Sequence, residues 1–259
     1  MHMPKLIVCG DSFMTPITTY PGTHFSEIVA ERLGFELTAY SRGGMSNGGI
    51  AIQIDTAIKE NPDLILVGTS LPDRIEYTLK SGGDCSPEFT VKDIQYKHWD
   101  SVSSHYPWLN ADPRLVSANL VELIGDTTTN PKDYAVNIES CDEPFKTKQA
   151  INDWFRYIYH PGWKIQTDQW MMYAMLHKLH LSGIPYILCI DNLNVEHTCP
   201  WLLNSKNSIV EVINQKIFPA VPWKIGTTPG YHTPPDVQVE IADCIIEHIN
   251  MHFKKLSHV

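Results

Sequence analysis

Several features that would mark other classes of protein are scarce or missing in this sequence. None of its apolar runs approaches the roughly 20 residues that a membrane-spanning helix needs. Positive charge is in deficit, with 20 lysines and arginines against 29 aspartates and glutamates and a net charge of -9. We therefore expect no membrane insertion and, because nucleic acids are polyanions, no nucleic-acid partner.

Cysteine is also sparse, and its spacing suggests neither a disulfide framework nor a metal knuckle. The six cysteines include no Cys-x-x-Cys pair, and the sequence has no N-glycosylation sequon. The first residues lack the pattern of a secretory signal peptide, because a strand begins almost at once. Together these features predict a cytoplasmic protein with buried, reduced thiols.

What the sequence does contain is a regular alternation of strand and helix patterns over its first 70 residues. Short apolar runs typical of buried parallel strands are separated by amphipathic segments that end at glycine or asparagine. The predicted elements are strands at 5–10, 35–40 and 62–68 and helices at 23–34 and 46–61. The pattern predicts a flavodoxin-like, three-layer α/β/α fold with a central parallel sheet of about five strands.

Residues 75–150 interrupt this alternation with turn signals and scattered aromatic residues. We interpret them as an insertion or cap between strands three and four of one domain that spans residues 1–259. A long loop without secondary structure is unusual in a compact domain, so we expect short helices in the insertion, for example at 113–125. A strand at 184–192 and a final helix at 234–253 resume the alternation.

Residue types suited to acyl transfer fall where the predicted strands end. The first strand leads into Asp11 and Ser12, the third into Ser70 and the fourth into Asp191, while His232 precedes the last helix. Ligands of open α/β sheets bind at the carboxyl ends of the strands. A hydroxyl, an imidazole and backbone N–H groups in a glycine turn are the parts that nucleophilic catalysis on an ester requires.

These residues also carry a resemblance to a known family. The run Gly10-Asp11-Ser12-Phe13 after the first strand resembles the first block of SGNH/GDSL hydrolases, whose serine is the nucleophile. The stretch 44–47, Gly-Met-Ser-Asn, is similar to the second block of that family. His232 resembles the catalytic histidine, because the pair Ile241-Ala242 follows it at the family's spacing. The resemblance covers the sheet core and not the insertion.

Two positions depart from the family pattern. Its third block contains an asparagine that helps to bind the oxyanion, whereas residues 68–74 here read Gly-Thr-Ser-Leu-Pro-Asp-Arg. Its aspartate three residues before the histidine is replaced by Pro229. We expect Asn47 or Ser70 to supply the missing oxyanion donor and Asp191 to orient the imidazole, although a backbone carbonyl is an alternative for the second role.

The resemblance implies a serine esterase or acetylesterase that needs no metal and no organic cofactor. Ser12, His232 and Asp191 are the expected catalytic residues. The expected oxyanion-binding or substrate-binding residues are Asp11, Gly44, Asn47, Ser70 and Arg74. Within this group Asp11 is expected to brace the turn, and Arg74 either to clamp an anionic part of the substrate or to form a structural ion pair.

A small-molecule or carbohydrate ester is the expected substrate, because aromatic residues of the insertion could stack on a sugar ring. Two other functions stay open at this point. The chain could be a weakly active or inactive binding protein for a small anion or sugar on the same scaffold. It could also be a nucleotide-binding protein, although the glycine turn lacks the Gly-x-Gly-x-x-Gly spacing and does not follow the first strand.

Overall fold

The structure, a computed structural model, describes residues 3–16, 22–42, 45–71, 157–158, 160–202, 206–213, 215 and 233–253, and the backbone of 74–78, 94–96 and 115–119. The strands are β1 (Lys5–Cys9), β2 (Glu36–Ala39), β3 (Leu64–Gly68), β4 (Arg74–Thr78), β5 (Ile94–Tyr96), β6 (Leu115–Asn119) and β7 (Tyr186–Ile190). The helices are α1 (Phe25–Leu33), α2 (Asn47–Glu60), α3 (Pro161–Ser182), α4 (Val195–Thr198) and α5 (Pro235–His252).

A parallel sheet with the order β2-β1-β3-β7 forms the centre of the molecule. In the register, Leu6 faces Leu37 on one neighbouring strand and Leu64 on the other. The order reverses direction after β1, as in a doubly wound flavodoxin-like sheet, so the predicted fold class is confirmed. Four strands belong to this sheet within the described ranges, against about five predicted.

Two apolar layers cover the two faces of the sheet. Leu6 and Val8 of β1 point into the layer that contains α1 and α5, whereas Ile7 and Cys9 point into the layer that contains α2 and α3. This alternation follows from the two-residue period of a strand. Both faces are covered, and β1, β3 and β7 consequently read as continuous apolar runs.

Helix α1 spans Phe25–Leu33, inside the predicted 23–34, and ends before Gly34 as its sequence indicates. The His24 side chain accepts a hydrogen bond from the Ser26 N–H, and the Glu27 carboxylate accepts one from the His24 N–H at 3.1 Å. This is a capping box with histidine at the position that serine or threonine usually occupies. Gly34 ends the helix in the left-handed conformation at φ 71°.

The insertion contains a second sheet of order β4-β6-β5, in which β6 pairs antiparallel with β4 and parallel with β5. The prediction of a short helix at 113–125 is therefore wrong for Leu115–Asn119, which is a strand. Pairing with chain segments far away in the sequence overrides the local helical preference, as is common for strands. The rest of 79–150 lies outside the described residues.

Within the described ranges, no helix combines the length and apolar character that crossing a bilayer demands.

The buried His24 predicts a loss of stability in acid. Burial lowers the pKa of His24 to about 4 from its ordinary value of 6.5, although a hydrogen bond to the Phe13 carbonyl opposes the shift. Between these pH values the unfolded chain binds a proton that the folded chain does not. The contribution of neutral His24 to the free energy of unfolding is therefore complete above pH 6.5 and is lost as the pH falls towards 4. The loss amounts to about 3 kcal/mol at most.

We expect urea unfolding to show this loss in the wild type and not in His24→Asn, because asparagine also caps helices but does not titrate. The wild-type advantage over His24→Asn should shrink between pH 7 and pH 4. Parallel stability curves for the wild type and His24→Asn would contradict the prediction.

Candidate functional site

The corner that follows β1 is built on a glycine that no other residue can replace without displacing its neighbours. The Gly10 N–H donates to the Gln53 side-chain carbonyl at 2.7 Å, and this bond ties the corner to α2. A Cβ atom at Gly10 would lie 2.3 Å from Cγ of Met14 and 3.2 Å from the carbonyl oxygen of Gly68. The strand therefore ends at Gly10 because only a residue without a side chain fits between Met14 and the end of β3.

Asp11 is buried and braces the turn that carries Ser12. One of its carboxylate oxygens accepts a hydrogen bond from the Phe13 N–H at 3.0 Å, as expected for an aspartate that stabilises a turn. The other oxygen accepts a hydrogen bond from the Ser70 hydroxyl at 3.2 Å. Asp11 thus connects the end of β1 to the end of β3.

Ser12 itself lies half-buried in this turn. Its Oγ is shielded from solvent and has no hydrogen-bond partner within the described part of the chain. Buried hydroxyl groups are usually hydrogen-bonded, because an unpaired polar atom loses its hydration without compensation. An unpaired hydroxyl at the carboxyl end of a central strand is thus set apart from the structural serines around it.

His24 is the histidine whose ring contacts this corner in the described structure, and it is not suited to act as a base. Its Nδ1 lies 2.8 Å from Ser26 Oγ and accepts from the Ser26 N–H, so Nε2 carries the proton that is donated to the Phe13 carbonyl at 3.1 Å. Both ring nitrogens are therefore engaged. A proton acceptor for Ser12 has to come from another part of the chain.

Helix α5 shows which edge of the sheet the chain reaches after His232. The Phe25 N–H, at the start of α1, donates to the side-chain carbonyl of Gln238 in the first turns of α5 at 2.9 Å. Arg32 and Asp243, further along both helices, form an ion pair, so the two helices run in the same direction. Helix α5 thus begins at the carboxyl edge of the sheet. Its buried neighbour Thr233 is the residue that follows His232 in the sequence; His232 itself lies outside the described residues.

Asn47 connects α2 to the end of β3 through two hydrogen bonds and to α3 through a third. Its side-chain oxygen accepts from the Ser70 N–H at 2.8 Å, and its amide nitrogen donates to the Ser70 carbonyl at 3.1 Å. The same nitrogen donates to Asp168 of α3 at 3.0 Å. Both amide hydrogens and the Ser70 N–H are thus used in the structure, so service as an oxyanion donor would require Asn47 to give up one of these bonds.

Asp191 lies near Thr69, at the end of the neighbouring strand. One of its carboxylate oxygens accepts from the Thr69 hydroxyl at 3.2 Å and from the Leu193 N–H at 3.2 Å. The other accepts from the Glu196 N–H at 2.7 Å. Asp191 therefore stabilises the turn into α4 in the described structure, and its predicted contact with His232 stays a prediction.

The structure also shows two buried charged residues that the sequence analysis did not single out. Arg42, next to the glycine turn, is only 2 % exposed, and its backbone N–H donates to the Gly10 carbonyl at 3.1 Å. Asp168 is 1 % exposed and forms an ion pair with Lys164 one turn earlier in α3. The sequence held a signal for Asp168, because it lies four and eight residues before the core residues Met172 and Leu176 on one helical face.

The remaining predicted residues are not placed by the structure. Gly44 lies outside the described residues, and Arg74 is described only by the backbone of β4. In the described ranges, no group of three or more histidine, cysteine, aspartate or glutamate residues is arranged to hold a metal ion. His177 and His180 of α3 lie against the Trp201 ring, with ring centroids 5.0 and 5.7 Å from it.

A substitution of Gly10 tests the architecture of the corner. Gly10→Ala should destabilise the protein by about 2 kcal/mol or more, because the added Cβ overlaps Met14 in a filled core. Gly34→Ala is the matched control, since Gly34 also has a positive φ but a Cβ there meets nothing within 4 Å; it should cost about 1 kcal/mol. Urea unfolding measures both values. Equal losses would show that the contact with Met14 does not restrict position 10.

Comparisons with known proteins identify a distant structural likeness only. No protein-family model matches the chain, and no curated protein matches it. Among solved structures, the chain is similar to an inferred lipolytic protein of the G-D-S-L family from Desulfitobacterium hafniense DCB-2. The TM-score is 0.45 and the identity 8%, over 95% of this chain and 99% of that chain. A likeness this distant carries no argument about catalytic residues or substrate.

Proposed function

We propose that the protein is a serine hydrolase that cleaves carboxylic esters, with Ser12 as the nucleophile and His232 as the base. The observation that carries the proposal is the Ser12 hydroxyl, buried and unpaired within the described residues, on a braced corner at the carboxyl edge of the sheet. The start of α5 at the same edge supports the role of His232, because two residues separate it from the first residue of that helix.

The reaction proceeds through two acyl-transfer steps. Ser12 Oγ attacks the ester carbonyl carbon as its proton passes to His232, and the carbonyl oxygen becomes an oxyanion. The tetrahedral intermediate collapses when the bond to the alkoxide breaks and His232 returns the proton to the leaving alcohol. Water, deprotonated by the same imidazole, then attacks the acyl carbon. The bond from that carbon to Ser12 Oγ breaks as His232 returns the proton to Oγ, which releases the acid and regenerates Ser12.

Backbone N–H groups are the proposed oxyanion donors. The N–H groups of Ser12 and Gly44 serve first, since the Asn47 amide and the Ser70 N–H already have partners in the structure. Asn47 and Ser70 then support the site mainly by fixing the end of β3. Asp191, or a backbone carbonyl, orients the imidazole. A small acyl group on a carbohydrate is the proposed substrate class, which the aromatic content of the insertion and the acidic net charge of the chain support.

The esterase proposal predicts the behaviour of a serine variant. Ser12→Ala should lower the rate of p-nitrophenyl acetate hydrolysis by about 1000-fold or more, because the attacking oxygen is lost. Ser182→Ala is the matched control: its hydroxyl donates to the Leu179 carbonyl at the far end of α3, and its rate should match the wild type. Thermal unfolding confirms that both variants are folded. Equal hydrolysis by Ser12→Ala and the wild type would remove the esterase proposal.

A second candidate function follows from the engaged side chains at the end of β3. If neither Asn47 nor Ser70 can donate to an oxyanion, the same edge of the sheet suits a protein that binds a small anion or sugar without turnover. This candidate predicts that hydrolysis by the wild type equals that of Ser12→Ala. Direct titration of the wild type with acetate and with acetylated monosaccharides, followed by calorimetry, would then identify the class of ligand.

A further inference from the structure

The strongest feature that the proposed mechanism leaves unused is the buried acid of α3. Asp168 is 1 % exposed, and its carboxylate is shared between two partners. One oxygen is paired with Lys164, whose side chain is only 12% exposed, and the other accepts the Asn47 amide at 3.0 Å. Placing a carboxylate in an apolar layer costs several kcal/mol before its partners offset the loss of hydration.

Packing alone does not explain an acid at this position. Its neighbours along the buried face of α3 are Met172, Leu176 and Leu179, all within one apolar cluster. An apolar side chain of similar size would fill this space without the cost of desolvation, and such replacements of buried ion pairs are often neutral or stabilising. What an apolar side chain could not do is accept the hydrogen bond from Asn47.

From Asn47 a continuous series of hydrogen bonds leads to the turn that carries the proposed nucleophile. Asn47 holds both the N–H and the carbonyl of Ser70. The Ser70 hydroxyl donates to Asp11, whose other oxygen holds the Phe13 N–H. The assignment of the Asn47 amide is fixed by this series, because a flipped amide would place its NH₂ group against the Ser70 N–H.

We propose that Asp168 is a positioning residue for the Ser12 corner, acting through Asn47, Ser70 and Asp11. The Asp168 carboxylate holds the Asn47 amide in the orientation that pairs with both backbone groups of Ser70. This fixes the end of β3 and, through the Ser70 hydroxyl, the Asp11 carboxylate that braces the turn. The effect of Asp168 on catalysis rests on the proposed function. Its effect on the structure of the corner rests on the hydrogen bonds alone. A displacement of about 1 Å at a nucleophile can cost about 100-fold in rate.

The test compares two acids that each connect α3 to α2. Asp168 does so next to Ser70, whereas Asp55 pairs with Lys178 of α3 without any contact to the corner. Asp168→Ala should lower kcat for p-nitrophenyl acetate by about 10- to 100-fold, with KM changed by less than about 3-fold. Asp168→Asn retains an acceptor oxygen for Asn47 and should lose less. Asp55→Ala should keep kcat within about 2-fold of the wild type.

Amide hydrogen exchange provides a readout that does not depend on catalysis. The Ser70 and Phe13 amides should exchange about 10-fold faster in Asp168→Ala, and less so in Asp168→Asn, while both keep the wild-type rate in Asp55→Ala. Unchanged exchange at both amides, or a similar acceleration in Asp55→Ala, would overturn the proposal. If Ser12→Ala hydrolyses the ester as fast as the wild type, the proposed function fails, and exchange alone decides whether Asp168 controls the corner.

Discussion

The paired hydrogen bonds between the Asn47 side chain and the backbone of Ser70 are the contact on which the candidate site depends. They replace, at the end of β3, the strand-to-strand bonds that stop when the sheet ends, and they join α2 to the sheet at that point. Because the Ser70 hydroxyl holds Asp11, the same contact also determines where the turn after β1 lies. The ends of β1 and β3, which would otherwise lead into two independent loops, are thereby held together at one edge of the sheet.

This edge combines a rigid frame with one unpaired group. The Gly10 N–H, the Phe13 N–H and the hydroxyls of Thr69 and Ser70 all donate to named acceptors. The Ser12 hydroxyl does not, within the part of the chain that the structure describes. Neighbours that are saturated with hydrogen bonds hold their positions, and an unpaired hydroxyl among them is free to exchange its proton with a base. Preorganisation of this kind is what a nucleophile requires.

Much of the fold was predictable from the sequence because local and long-range signals agree. The apolar runs of β1 and β3 indicate strands buried on both faces, and Gly34 marks the end of α1. The corner at Gly10, Asp11 and Ser12 was predictable for the same reason, since a glycine, an acid and a hydroxyl in that order leave few other local structures. The strand at Leu115–Asn119 was not, because its partner, β4, is about 40 residues earlier in the chain.

The site was predicted less completely than the fold. Roles that depend on neighbours far away in the sequence, such as those of Asn47 and Asp168, are not encoded in short motifs. A capping serine followed by Asn-Gly-Gly predicts the start of α2, but not that the asparagine side chain reaches the end of β3. His24 is a similar case: as a helix cap with both ring nitrogens engaged, it has a structural role that spacing alone does not distinguish from a catalytic one.

Covalent labelling tests the central claim most directly. The intact protein would be treated with a fluorophosphonate ester, which phosphonylates activated serine hydroxyls, and digested peptides would be sequenced by mass spectrometry. The account predicts one adduct, on Ser12, that is absent when the protein is unfolded in urea before treatment. An unlabelled Ser12 in the folded protein, or an adduct on another serine, would contradict it.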